Sequence, residues 1–444
     1  MDLTTGSIKE HIRRLSIPVS VGFFFNTMFN VVDTFFAGKI STDALAALTI
    51  SFPIFFIIIA FMHGLSTGGA ALISNALGGG SPREARLFAG QVLSFCLFLS
   101  VVVYFLGSIA ATPLFRLLGA EGEYLRLALL YIDVIFQGAV FFLLTYSANA
   151  ILIAHGNSRC IRNFLIVGFF ANCLLDPWFL YGGFGLPAMG LRGIALATVL
   201  VMAGGSVYML LQVYRSGFFT GMRVSDFIPD LRRYWQITYQ SVPAGLNLMT
   251  VAIGIFVITY FVRPFGSDAV AAYGACMRVE QIFLLPTIGL SVANLSIVGQ
   301  NNGAGRIERI REALNMALFY GLIVMTVGAV VMFFFSGPLI SLFTDNTEVI
   351  AIGTTYLTVA ALTSWSYTIL TMHSTTMQGM KYPMFSLLLG LGRQIVLPAI
   401  VFYTMTHVLG FGLLSIWLSV FTITWLSALF AIYYVRCVIA EKIG

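Results

Sequence analysis

The chain is a succession of long apolar runs with brief polar interruptions. The runs fall at about 15–38, 45–72, 88–110, 125–153, 161–182, 190–213, 237–262, 268–298, 313–335, 349–373, 383–406 and 410–436. A helix that crosses a bilayer needs roughly 20 apolar residues, and each run is close to that length or longer. None alternates with period two, which argues against a β-barrel and for helices that bond their backbone internally. Short breakers such as Gly78-Gly79-Gly80-Ser81-Pro82 and Gly303-Ala304-Gly305 separate the runs. The one long polar connection, 214–236, carries Arg215, Arg223, Asp226, Asp230, Arg232 and Arg233. The pattern predicts an all-α integral membrane protein of twelve transmembrane helices. Residues 1–213 form an N-terminal six-helix lobe, 214–236 a cytoplasmic linker and 237–444 a C-terminal six-helix lobe.

The two halves repeat. Leu15-Ser16-Ile17-Pro18 and Gln240-Ser241-Val242-Pro243 lie 225 residues apart. The same shift, without a gap, places Asp43-Ala44-Leu45-Ala46-Ala47 on Asp268-Ala269-Val270-Ala271-Ala272. It also places Gly64-Leu65-Ser66 on Gly289-Leu290-Ser291. Six spans separate the copies, and an even number preserves membrane orientation. The repeats are therefore parallel, related by an axis along the membrane normal, an arrangement suited to alternating access.

Composition agrees with a lipid solvent. Of 444 residues, 59% are hydrophobic and 9% charged, against about 25% charged in soluble domains. The net charge of +6 is scattered, with no basic run for nucleic acid. With the N-terminus inside, seventeen Lys and Arg residues fall on inner segments and five on outer ones, leaving Arg278 and Arg393 within spans. That bias places both termini in the cytoplasm of a multi-pass protein of the cell (inner or plasma) membrane. The five cysteines are odd in number and lack metal-ligand spacing, so they read as small hydrophobes. No ATP-binding motif is present, so uphill transport would draw on an ion gradient, H⁺ or Na⁺, with no cofactor.

The few charges inside spans are the candidate chemistry, because an ionised side chain is costly in hydrocarbon. Asn26, Asn30 and Asp33 have i, i+4, i+7 spacing and form a polar stripe on the first helix. A carboxyl group there suits a proton or, with amide oxygens, Na⁺; a structural hydrogen bond between helices is the plainer alternative. Asn172 and Asp176 are one turn apart just before Pro177, which removes a backbone donor and frees a carbonyl. In the second half the position equivalent to Asp33 is Ile258. Arg278 and Glu280 lie in the eighth segment, and Arg393 in the eleventh is a candidate partner for Glu280.

These residues resemble a known family. Leu15-Ser16-Ile17-Pro18, Asn30-Val31-Val32-Asp33-Thr34 with Gly38, and Leu45-Ala46-Ala47 match the multidrug and toxic compound extrusion family. So do Asn149 with Gly156, Leu174-Leu175-Asp176-Pro177, and Gly299-Gln300-Asn301-Asn302-Gly303-Ala304-Gly305-Arg306. The resemblance implies two lobes around a V-shaped cleft and antiport of H⁺ or Na⁺ with small amphipathic, often cationic, organic compounds. It implies that Asp33 and Asp176 are the acid pair of the DinF-like branch, with Asn172 and Thr198 completing a cation site. Where some members carry an Asn three residues before Asn149, this chain has Tyr146. The seventh helix lacks the acid of NorM-like members. Antiport would begin with protonation of Asp33 repacking the first helix near Pro18. The alternative function is a lipid or glycolipid flippase on the same scaffold. The expected working form is a monomer in membrane lipid.

Overall fold

Hydrocarbon offers backbone groups no hydrogen-bond partner, so an apolar chain of this kind closes its own bonds in helices. The computed structural model describes residues 2–183 and 185–443. Its helices are α1 (Ile8–Ile40), α2 (Thr42–Gly78), α3 (Pro82–Leu117), α4 (Gly122–Gln137), α5 (Ala139–Ala154), α6 (Arg159–Tyr181) and α7 (Leu191–Arg215). The second half follows with α8 (Leu231–Val262), α9 (Ser267–Gly303), α10 (Ile307–Phe334), α11 (Ser336–Ser341), α12 (Thr347–Gly379), α13 (Pro383–Leu391), α14 (Leu397–Tyr403) and α15 (Leu413–Ile443). Among the described residues, eleven helical stretches are long and apolar enough to span a membrane, and the bent pair α4–α5 makes a twelfth.

The 225-residue shift holds through the architecture. It carries the ends of α2 onto those of α9, and the outer ends of α4–α5 onto those of α12. Two spans depart from the continuous helices the apolar runs predict. The fourth bends by 46° between α4 and α5. Gly138 stands at the bend, and a β-carbon there would meet the Val199 side chain at 2.4 Å. Glycine thus lets α7 press against the turn, whereas the equivalent Thr363 lies within unbroken α12. The eleventh span is interrupted by π-helical turns at Gly392–Val396 and Thr404–Val408.

Packing divides the chain into two compact units. One holds residues 21–245; the other holds 3–20 together with 246 onward. The first half of α8 thus packs with the first unit, and the first half of α1 with the second. The repeated sequence motifs explain this exchange. In the first unit, a β-carbon on Gly64 would lie 2.5 Å from the Ser241 carbonyl oxygen. In the second, a β-carbon on Gly289 would lie 2.4 Å from the Ser16 carbonyl oxygen. These are the same contact 225 residues apart, in which small residues let two helix backbones touch. The segments ahead of α1 and α8 are pinned within the same units. Leu3 N donates to Gln300 Oε1 at 2.8 Å, and Asn301 Nδ2 and Arg306 Nη1 donate to the Leu3 and Thr4 carbonyls at 3.1 and 2.6 Å. In the first unit Gln91 Nε2 donates to the Asp226 and Ile228 carbonyls at 2.8 and 2.7 Å. The Gly299–Arg306 run therefore binds main chain.

The close approach makes a stability prediction. Gly64→Ala and Gly289→Ala place a methyl group against a backbone carbonyl that cannot swing away, and each is expected to destabilise by about 1–3 kcal/mol or more. Gly204→Ala, where a β-carbon meets nothing within 4 Å, is expected to be neutral or to stabilise by up to about 1 kcal/mol. Thermal unfolding in detergent micelles distinguishes the three, and equal midpoints would overturn the account.

Candidate functional site

The first unit buries two carboxyl groups together. Asp33 on α1 is 6% exposed and Asp176 on α6 is fully buried. α6 continues through Pro177 to Tyr181, and Asp176 is buried within the helix packing. The Pro177 nitrogen donates no hydrogen bond, which withdraws the helical partner of the Cys173 carbonyl. Phe25 on α1 meets Phe169 and Phe170 on α6 at ring-centroid distances of 5.5 and 6.3 Å, an aromatic contact between the helices that carry the acids.

Thr198 and Asn172 supply donors to the two carboxyl groups. Thr198 Oγ1 on α7 lies 3.2 Å from Asp33 Oδ2, and Asn172 Nδ2 donates to Asp176 Oδ1 at 3.0 Å. The two carboxyl groups are within hydrogen-bonding reach of each other. Asp33 Oδ1, Asp176 Oδ2 and Asn172 Oδ1 are buried oxygens with no protein donor. Two carboxylates so placed in a low dielectric need a proton or a cation between them. Carboxylate, amide and hydroxyl oxygens also make a donor set that suits a hard monovalent cation such as Na⁺.

The four residues Asp33, Asn172, Asp176 and Thr198 are thus assembled in space. Others are not. Asn30 is exposed, and its Nδ2 donates to the Asn26 carbonyl at 2.9 Å. At about 100° per residue, Asn30 is turned by about 60° from Asp33, enough to put one outside while the other is buried; Asn26, half-buried, is nearer in angle. Asn149 is buried with an unpartnered Oδ1, and Tyr146 is half-buried; neither bonds either acid. Pro18 is buried inside α1 in the second unit. Glu280 accepts from Tyr356 Oη at 3.3 Å. Arg393 forms no ion pair with Glu280; its guanidinium lies 5.4 Å from the centre of the Tyr367 ring. Arg278 is exposed on α9, with no acid within ion-pair distance among the described residues.

One further buried residue lies near the two acids. Tyr131 on α4 is 5% exposed and close enough to interact electrostatically with both acids. The signal was present in the repeat: Tyr131 shifts by 225 onto Tyr356, the partner of Glu280.

A two-repeat bundle of helices long and apolar enough to span a membrane is the architecture of an integral membrane protein. The MatE family model matches residues 18–178 and 243–404, one copy per repeat, and the chain belongs to that family. It is 29% identical to an FAD transporter of Shewanella oneidensis over 89% of this chain and 87% of that protein. It is 28% identical to a probable multidrug resistance protein, YoeA, of Bacillus subtilis over 74% of this chain and 71% of that protein. A solved outward-facing multidrug resistance MATE transporter superposes with a TM-score of 0.91 at 25% identity, covering 99% of this chain and 98% of that one.

Removing the donors tests the site. Thr198→Val is expected to cost about 1 kcal/mol, the scale of one net hydrogen bond. Asn172→Leu leaves the interior carboxyl of Asp176 without its protein donor and is expected to cost more, about 1–3 kcal/mol. Thermal unfolding ranks the two; the reverse order would contradict the assignment of partners.

Proposed function

We propose that the protein is a secondary active multidrug exporter that exchanges H⁺ or Na⁺ for small amphipathic, often cationic, organic compounds by alternating access. The observation that carries this reading is the buried Asp33–Asp176 pair, in which one oxygen of each carboxyl, and Asn172 Oδ1 beside them, find no amide or hydroxyl donor. An ion entering satisfies those oxygens; an ion leaving exposes uncompensated charge, which forces the helices to repack. α1 carries both Asp33 and Pro18, and Pro18 already lacks the bond to the Arg14 carbonyl. Repacking at Asp33 therefore passes along a helix that is soft at a defined point. The working form in this reading is a monomer in the cytoplasmic membrane with both termini inside, as the Lys and Arg bias favours.

A second reading rests on Arg278. It stands eleven residues after Ser267, about 16 Å along α9, and is exposed. A free guanidinium at that depth suits a phosphate-bearing organic anion, the class to which the named cargo of the Shewanella relative belongs. The lipid or glycolipid flippase alternative would use the same residue, because Arg393 is engaged with Tyr367.

Proteoliposomes decide between the readings. Efflux of a cationic dye should follow an imposed pH or Na⁺ gradient, and trials at two pH values with and without Na⁺ identify the ion. Asp33→Asn and Asp176→Asn should each lower gradient-driven flux at least tenfold while the protein folds. Full activity in Asp33→Asn would sink the coupling role. Arg278→Ala should leave dye flux intact; selective loss of FAD flux would favour the second reading.

A further inference from the structure

The second unit lacks the acid pair. Asp33, Asn172, Asp176 and Thr198 shift onto Ile258, Leu397, Val401 and Ile423. Ile258, Val401 and Ile423 lie in one hydrophobic cluster, so the corresponding place is plain core. Glu280 is buried elsewhere in this unit, and its counterpart in the first unit is Phe55, which packs on Phe142 at 5.6 Å. What the two acid sites share is a tyrosine, Tyr131 in one and Tyr356 in the other. Each unit therefore buries carboxyl chemistry beside the same repeated tyrosine, but on different helices.

The surroundings of Glu280 carry no compensating charge in contact. It is 8% exposed, and among the described residues no Lys, Arg or His pairs with it. The titratable groups facing it are Tyr273 and Cys276 from α9 itself and Tyr356 and Tyr367 from α12. Tyr356 is held by Tyr273 at 5.6 Å and by Trp417 of α15 at 4.8 Å. Tyr367 is close enough to interact electrostatically with both Glu280 and Arg393, and the Arg393 guanidinium lies 5.4 Å from its ring centre. Arg393 belongs to the π-helical turn Gly392–Val396, a local unwinding of the kind that recurs at functional sites.

We propose that Glu280 is a second proton-binding group, independent of Asp33 and Asp176, and that Arg393 is its charge partner in the deprotonated state. When the Glu280 O–H bond breaks, the proton leaves to water and the carboxylate keeps the electron pair. Arg393 then leaves the Tyr367 ring to meet that charge, and the π-helical turn moves with it. Tyr356 and Tyr367 are positioning residues. The transport consequence rests on the antiport reading, but proton binding at Glu280 does not.

Infrared difference spectra of the purified full-length protein, recorded across a pH titration, read protonated carboxyl groups directly. Glu280→Gln should remove one titrating carboxyl component. That component should persist in the Asp33→Asn/Asp176→Asn double variant. Arg393→Gln should keep it protonated into buffer about one pH unit more alkaline, a roughly tenfold change in proton concentration, because the receiving cation is gone. An unchanged spectrum in Glu280→Gln, loss of the component in the double variant, or an unmoved midpoint in Arg393→Gln would each overturn the proposal. If Glu280→Gln fails to fold, the Arg393→Gln midpoint and the double variant still decide it. Dye flux in proteoliposomes tests antiport separately, so the two readings can fail independently.

Discussion

Hydrocarbon supplies no hydrogen bonds, and this one absence organises the molecule. It drives the backbone into helices. It turns serine and threonine side chains back on their own helices: Thr145, Thr363 and Thr376 each donate to the carbonyl four residues earlier at 2.8 Å. It also makes the remaining polar oxygens conspicuous. In water, Asp33 and Asp176 would be ordinary surface acids. Enclosed between α1, α6 and α7, they are two buried carboxyl groups, each with one oxygen that finds no amide or hydroxyl donor.

The repeat supplies the second organising constraint. Ser16, Gly64, Ser241 and Gly289 look like four scattered identities along the chain. In space they form one contact made twice, the first helix of each repeat against the second helix of the other. Close packing at glycine keeps that contact intolerant of even a methyl group. Chemistry has departed from the symmetry while the scaffold has kept it. The acid pair of one unit is apolar core in the other, and the acid of the second unit is a phenylalanine in the first.

The family resemblance names Asp33, Asp176, Asn172 and Thr198 from four separate stretches of chain, and the fold gathers them in one place. The limits were geometric. Asn30 shares a stripe with Asp33 on paper, yet a turn of about 60° separates a buried position from an exposed one. Glu280 and Arg393 are natural partners as two of the few charges within spans, but Glu280 is bonded by Tyr356 and Arg393 lies against the Tyr367 ring. Tyr131 was one aromatic among many until its repeat mate was found against an acid.

Sequence alone determined the solvent, the helical class, the twelvefold span pattern and the 225-residue repeat, because these depend on composition and local period. The i, i+4 pairing of Asn172 with Asp176 was legible for the same reason. Tertiary structure decided what depends on approach across the chain. Thr198 meets Asp33 from 165 residues away. The fourth span bends where Gly138 admits Val199, and α1 and α8 divide their lengths between two packing units. No local period records such contacts; they arise only when helices meet and burial selects which polar atoms keep a partner.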